Sequence, residues 1–168
     1  DSRPQDEYKA AHIKGALNIQ ENGKFETWLG AIVAPAERFY LVGNSIEQLD
    51  MAVRKAAKIG YEQFITGTLV NPTQNITASA LVNIGHFKQN PDAYTIVDIR
   101  NPGEFGAGAF FDNAINIPLY ELRERVAEIP QNKPIMVHCA GGYRSAAGAS
   151  IIENATEKQQ PVFDLSEN

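Results

Sequence analysis

The 168-residue chain has one cysteine, so no intrachain disulfide can form, and a disulfide-stapled secreted scaffold is excluded. That usage fits a reducing, cytoplasmic compartment. Histidine is scarce too. His12 and His86 are scattered, and with no Asp/Glu/His cluster at ligand spacing neither a metal nor any other cofactor is inferred. There is no basic cluster, and the formal net charge of −5 argues against a nucleic-acid partner. No apolar run approaches a membrane span. The chain does not start with Met; the expectation is a fragment whose first domain has lost its opening elements. What remains is a chain that is 43% hydrophobic, enough to build a core in one large domain or two small ones.

The chain says the same thing twice. "DSRPQDEYKAAHIKGALNI" at 1–19 returns as "DIRNPGEFGAGAFFDNAINI" at 98–117. Asp1, Arg3, Glu7 and Tyr8 match Asp98, Arg100, Glu104 and Phe105 at a constant offset of 97, and Ala16, Asn18 and Ile19 match Ala114, Asn116 and Ile117 one inserted residue later. Two tandem domains are expected, 1–70 and 71–168, with "LVNPTQN" (69–75) as linker. In the second, "YTIVDI" (94–99), "PIMVH" (134–138) and "PVFDL" (161–165) read as buried strands. "LYELRERVAEI" (119–129) and "RSAAGASIIENA" (144–155) read as helices, and Thr77 as the cap of another over 78–88. In the first, "RFYLV" (38–42) precedes a helix opened by a Ser45–Gln48 capping box and stopped near Gly60. Strands alternating with helices predict an α/β fold, each domain an open, mostly parallel sheet flanked by helices.

The single thiol sits in "HCAGGYRS" (138–145). A strand ending at His138 and a helix starting near Arg144 put Cys139 at the carboxyl end of a parallel sheet, where ligands bind in such folds. The helix N-terminus, the loop N–H groups and Arg144 all favour an anionic sulfur. Gly141 and Gly142 let the backbone curl its amides inward as an anion nest. Cys139 is therefore read as a nucleophile that carries a covalent, negatively charged adduct. Four residues separate Cys139 from Arg144, a tighter ring than the cysteine loop of protein tyrosine phosphatases. It suits one sulfur atom better than a tetrahedral phosphate. His138 adjoins the thiol, but neighbours on a strand face opposite ways, which argues against a Cys–His dyad. Asp98, Arg100 and Glu104 read as structural residues, because the first repeat keeps the trio without the cysteine. Trp28 and Phe25 are expected in the core or at an interface.

"CAGGYRS" resembles the active-site loop of rhodaneses, single-cysteine sulfurtransferases, and "DIR…EF" and "DSR…EY…AHIKGALNI" resemble the opening segment of the same domain. The resemblance implies two tandem rhodanese-like domains. Cys139 would accept sulfur, the amides of Ala140, Gly141, Gly142, Tyr143, Arg144 and Ser145 would cradle it, and Arg144 would hold an anionic donor. Its partners would be thiosulfate or low-molecular-weight persulfides as donors and thiols or cyanide as acceptors. "GKFETWLG" (23–30) and "KIGYEQFITGTL" (58–69) are similar to a narrower group, in which a metallo-β-lactamase-fold persulfide dioxygenase is fused to C-terminal rhodanese domains. That adds such an N-terminal domain as a partner, and a homodimer as a further association. Two departures stand out. The first repeat has "LVGNSIEQ", with Gly43 near the cysteine position and no arginine after it, so that domain is expected to be inactive. The second has "GAFFDNA" in place of a Gly-His-Ile-Pro-Gly-Ala pattern. The competing reading is a non-catalytic docking or dimerisation module of the larger fusion.

Overall fold

The computed structural model describes residues 1–156 and 159–166; the last two residues of the second expected domain lie outside them. Two compact units are present, Asp1–Ala78 and Ser79–Asn168. Among the described residues no helix is long and apolar enough to cross a membrane.

The first unit runs α1 (Gln5–Ala10), β1 (His12–Ile13), α2 (Phe25–Ile32), β2 (Phe39–Gly43), α3 (Ile46–Ala57), a 3-10 turn at Glu62–Phe64, β3 (Ile65–Val70) and β4 (Ile76–Thr77). β2 and β3 are parallel, with an irregularity between Phe39 and Tyr40, and β1 and β4 form a short antiparallel pair. Two expectations need correction. Leu69 and Val70 belong to β3, not to a linker, because β2 uses them as its parallel partner. Thr77 pairs with His12 as a strand residue, and the next helix opens later, at Asn83. Only half of the capping box forms at α3. Ser45 Oγ accepts from Gln48 N at 3.1 Å, but Gln48 Oε1 accepts from Asn44 N at 2.8 Å, one residue ahead of the cap.

The second unit runs α4 (Ile84–Gln89), a 3-10 turn at Pro91–Ala93, β5 (Thr95–Asp98), α5 (Pro102–Ala107), β6 (Ile115–Asn116), a 3-10 turn at Leu119–Glu121, α6 (Leu122–Arg125), a 3-10 turn at Val126–Glu128, β7 (Ile135–His138), α7 (Tyr143–Ala155) and β8 (Val162–Asp164). Its four strands are all parallel in the order β6-β5-β7-β8. Every residue of β5 and β7 is buried, as expected of near-continuous apolar strands covered on both faces. Phe87, Ile96 and Met136 form a core cluster, with Phe87 edge-on to Tyr94 and Phe111. The first helix opens at Asn83, whose side chain accepts from His86 N at 3.0 Å, rather than at Thr77. The helix expected over 119–129 is broken into 3-10, α and 3-10 turns. Its apolar anchors come in i,i+3 pairs, Leu119 with Leu122 and Val126 with Ile129, and a 3-10 turn brings such pairs onto one face.

Small residues let α7 lie close on the sheet. Ser145, Ala146, Ala147, Gly148 and Ser150 are buried, and Ser150 Oγ donates back to Ala147 O at 2.7 Å. A Cβ at Gly148 would stand 2.7 Å from Ile99 Cδ1 and 3.3 Å from Val137 Cγ1, and Ile99 and Val137 are fully buried. Gly148→Val is therefore expected to cost about 2–3 kcal/mol, because overpacking outweighs the gain from removing a helical glycine. Urea denaturation checks it, and an unchanged or raised midpoint would show that the helix can move off the sheet freely.

Candidate active site

The two repeats agree bond for bond at the strand end that precedes the site. In the second unit Arg100 Nε and Nη2 donate to the Asp98 carboxylate at 2.9 and 2.6 Å, and Nη2 also reaches Gly108 O at 3.0 Å. In the first, Arg3 makes the same fork on Asp1 at 2.9 and 2.6 Å and reaches Ala11 O at 2.8 Å. Asn116 Nδ2 donates to Asp98 O and Arg100 O, as Asn18 Nδ2 does to Asp1 O and Arg3 O. These buried bidentate pairs pin the chain where it leaves the strand. The Asp98 hydrogen bond is also the main reason the Arg100 guanidinium is raised above its ordinary range.

The backbone match aligns the two loops. Ile99 N donates to His138 O and Ser2 N to Val42 O, so Val42 is the counterpart of His138 and Gly43 that of Cys139. Cys139 follows β7 and is 8% exposed, next to the exposed Ala140 and Gly141. Gly142, at φ +80°, turns the chain into α7, and its carbonyl accepts from Ser145 Oγ at 2.9 Å and Ala146 N at 3.3 Å. Gly141 has no positive φ, so the left-handed curl expected of both glycines falls on Gly142 alone. Tyr143, Arg144 and Ser145 occupy the first turn of α7. The N–H groups of a helix's first turn lie at its N-terminal end, the end that Gly142 joins to the cysteine loop.

Arg144 does not stand alone. Its Nη1 and Nη2 donate to Glu104 Oε2 and Oε1, both at 2.7 Å. Glu104 Oε2 also accepts from Asn101 N at 3.1 Å, the reciprocal half of a capping box at the start of α5. The Glu104 hydrogen bonds raise the Arg144 guanidinium most. Burial opposes them, and the charge of Glu104, then the charge and hydrogen bond of the Cys139 sulfur, raise it further. Arg144 is thus engaged by a carboxylate beside the nucleophile. Sequence reasoning had grouped Glu104 with Asp98 and Arg100; the structure takes it out of that pair and gives it to the loop. The available signal was topological. α5 and α7 both start at the carboxyl ends of neighbouring parallel strands, so a first-turn acid and a first-turn base can meet there.

The same contacts hold Glu104 at about 2, mainly through the Arg144 hydrogen bond. A depressed folded-state value means stability present above the unfolded value near 4.5 and lost as pH falls through about 2. The gap in urea midpoint between wild type and Glu104→Gln should therefore narrow as pH is lowered from 4.5 towards 2. A constant gap would detach the pair from stability.

His138 packs against Asp98 and two phenylalanines. It is 2% exposed, with Nε2 at 3.6 Å from Asp98 Oδ2 and its ring 5.1 Å from Phe111 and 5.7 Å from Phe110. Burial lowers its pKa, partly opposed by Asp98. Phe110 lies under the Arg100 guanidinium at 4.0 Å, and this is where "GAFFDNA" replaces the expected pattern. In the first unit His12 stacks on Tyr8 at 3.9 Å; Ala109 holds that position in the second, and the imidazole comes instead from the strand, as His138.

In the first unit the loop space is filled. A Cβ on Gly43 would meet Leu49 Cγ at 2.8 Å and Gln48 Oε1 at 2.9 Å. The counterpart of Glu104, Glu7, accepts from Asn44 Nδ2 at 3.3 and 3.4 Å instead of from an arginine.

The second unit is thus a parallel α/β sheet with one cysteine between a strand end and a helix N-terminus. The model of the rhodanese-like domain matches residues 1–66 and 84–167, and the chain belongs to that family. It is 37% identical over 57 residues to the uncharacterized protein YqhL of Bacillus subtilis, covering 34% of this chain and 44% of that protein. It is 36% identical over 50 residues to a sulfurtransferase of Allochromatium vinosum, covering 30% and 46%. The matched stretches span less than half the length of these curated relatives. Among solved structures, a rhodanese-related protein from Thermoplasma volcanium is 32% identical, covering 52% of this chain and 83% of that one, with a TM-score of 0.43.

Proposed function

We propose that the second unit is a sulfurtransferase working through a persulfide on Cys139. The observation that carries this reading is the placement of the one thiol between the end of β7 and the start of α7, within the influence of Arg144. The Cys139 thiolate attacks the outer sulfur of thiosulfate. The new Sγ–S bond forms as the S–S bond breaks, and sulfite leaves with the electron pair. With a low-molecular-weight persulfide the same attack on the outer sulfur expels a thiolate. The amides at the start of α7 and of Ala140 to Gly142 stabilise the negative terminal sulfur, as donors aimed at developing charge do. A thiol or cyanide then attacks that sulfur and restores the Cys139 thiolate. Nothing in this cycle needs an external oxidant or a metal.

The first unit is read as the non-catalytic half. Gly43 offers no nucleophile, and Gln48 and Leu49 occupy the space one would need. We assign it a docking role, towards a metallo-β-lactamase-fold persulfide dioxygenase domain or a second copy of the chain. The resemblance of 23–30 and 58–69 supports this.

Intact mass spectrometry tests the catalytic reading. Thiosulfate treatment should add one sulfur atom to the protein, and cyanide should remove it as thiocyanate. An unchanged mass with both thiosulfate and an alkyl persulfide would overturn the reading and leave the docking role for both units.

A further inference from the structure

The cation beside the nucleophile is already neutralised. Both terminal nitrogens of Arg144 are committed to both oxygens of Glu104 in a fork at 2.7 Å. The second guanidinium at this end of the sheet, Arg100, is held through Nε and Nη2 by Asp98. Asp98, Arg100, Glu104 and Arg144 sum to zero charge, so a Cys139 thiolate leaves the site negative. Glu104 stays ionised throughout the working pH range because its value is held at about 2. The first unit shows that the acid's reach is part of the scaffold. Glu7 spans from its helix to its loop in the same way and takes an amide there.

We infer that Glu104 is a specificity-determining residue: by neutralising Arg144 it disfavours doubly charged sulfur donors such as thiosulfate relative to donors carrying one charge or none. The inference rests on the sulfurtransferase reading above. A thiolate and a dianion repel each other, and a free guanidinium at a few ångströms would offset that repulsion. One engaged by a carboxylate offsets far less of it. The backbone amides still stabilise the transferred sulfur whichever donor supplies it, so the effect should fall on donor choice.

Glu104→Gln separates charge from architecture. Glutamine keeps the length, and its carbonyl can still accept from Asn101 N, so the helix start is retained. Glu104→Met removes the charge without adding a hydrogen-bonding amide, so the test does not depend on one variant. The experiment measures kcat/KM with thiosulfate and with an alkyl persulfide, at fixed cyanide, in wild type and both variants, with urea midpoints as the check on folding. The thiosulfate-to-persulfide ratio should rise about tenfold in both variants, mainly through a lower KM for thiosulfate, an effect moderated by solvent at this partly exposed pair. A ratio that stays put while both donors slow together would make Glu104 a mere brace for Arg144 and overturn the inference, as would a selective loss with thiosulfate. Either result would leave the sulfurtransferase reading standing. A wild-type protein that takes sulfur from neither donor would overturn that reading itself.

Discussion

Cys139→Ser is expected to lower sulfur transfer to cyanide by at least about a thousandfold, some 4 kcal/mol of lost transition-state stabilisation. In the proposed cycle the sulfur forms and breaks the bond in both half-reactions, and a serine hydroxyl neither ionises near neutral pH nor holds a sulfane sulfur. The fold should survive. Cys139 is nearly buried, but serine is close to its size, and the loop it occupies is held by other contacts: the Gly142 turn, the Ser145 hydroxyl on Gly142 O, and the Arg144–Glu104 fork. The thermal midpoint should move by a few degrees at most, in keeping with a loss of about 1 kcal/mol. Thiocyanate production by the purified variant at a rate within tenfold of wild type would place the sulfur on some other atom and end the persulfide mechanism. Intact mass after thiosulfate should show no added sulfur in this variant.

The strands and helices nearest the thiol were legible in the sequence because their patterns are strong. β5 and β7 are short runs of apolar residues buried on both faces, and α7 carries Ala, Gly and Ile at helical spacing. The repeat was legible for a physical reason as well. The Asp–Arg fork and the asparagine bonds need those residue types at those spacings in both units, so the pattern persists where the cysteine does not. The contacts that join elements distant in sequence could not be read. Glu104 and Arg144 are brought together only because their helices start side by side at one end of the sheet, and no local period encodes that. Irregular segments were misread for the opposite reason. The i,i+3 spacing at 119–129 is shared by α and 3-10 geometry, and Thr77 has the composition of a cap while serving as a strand partner to His12.

The loop in the first unit is instructive about the cysteine-bearing one. It reaches its helix through Asn44 and Ser45, where the second unit uses Ala140, Gly141 and Gly142, so the cysteine-bearing loop is one residue longer than the closed version. The space ahead of the helix is filled in the first unit by Gln48 and Leu49, and the third and fourth positions of the helix carry the smaller Ser145 and Ala146 in the second. Lengthening the cysteine-bearing loop again should take the proposed site out of register. Inserting one glycine between Gly142 and Tyr143 places an extra residue, up to about 3.6 Å of chain, between the nucleophile and the first turn of α7. Gly142 would no longer be the turn into the helix, and its carbonyl would lose Ser145 Oγ and Ala146 N. Several donors to the terminal sulfur would be misplaced at once, and one such donor is worth about 10²–10³ in rate in other sites. Thiosulfate:cyanide transfer should therefore fall at least about a hundredfold, while binding of phosphate or arsenate is unchanged or improved by the wider ring. Circular dichroism should show the helices intact, since α7 is anchored along its length by buried Ala147, Gly148, Ile151 and Ile152. Sulfur transfer that survives the insertion would show that ring size does not select the chemistry. The persulfide assignment would then rest on the cysteine and its family.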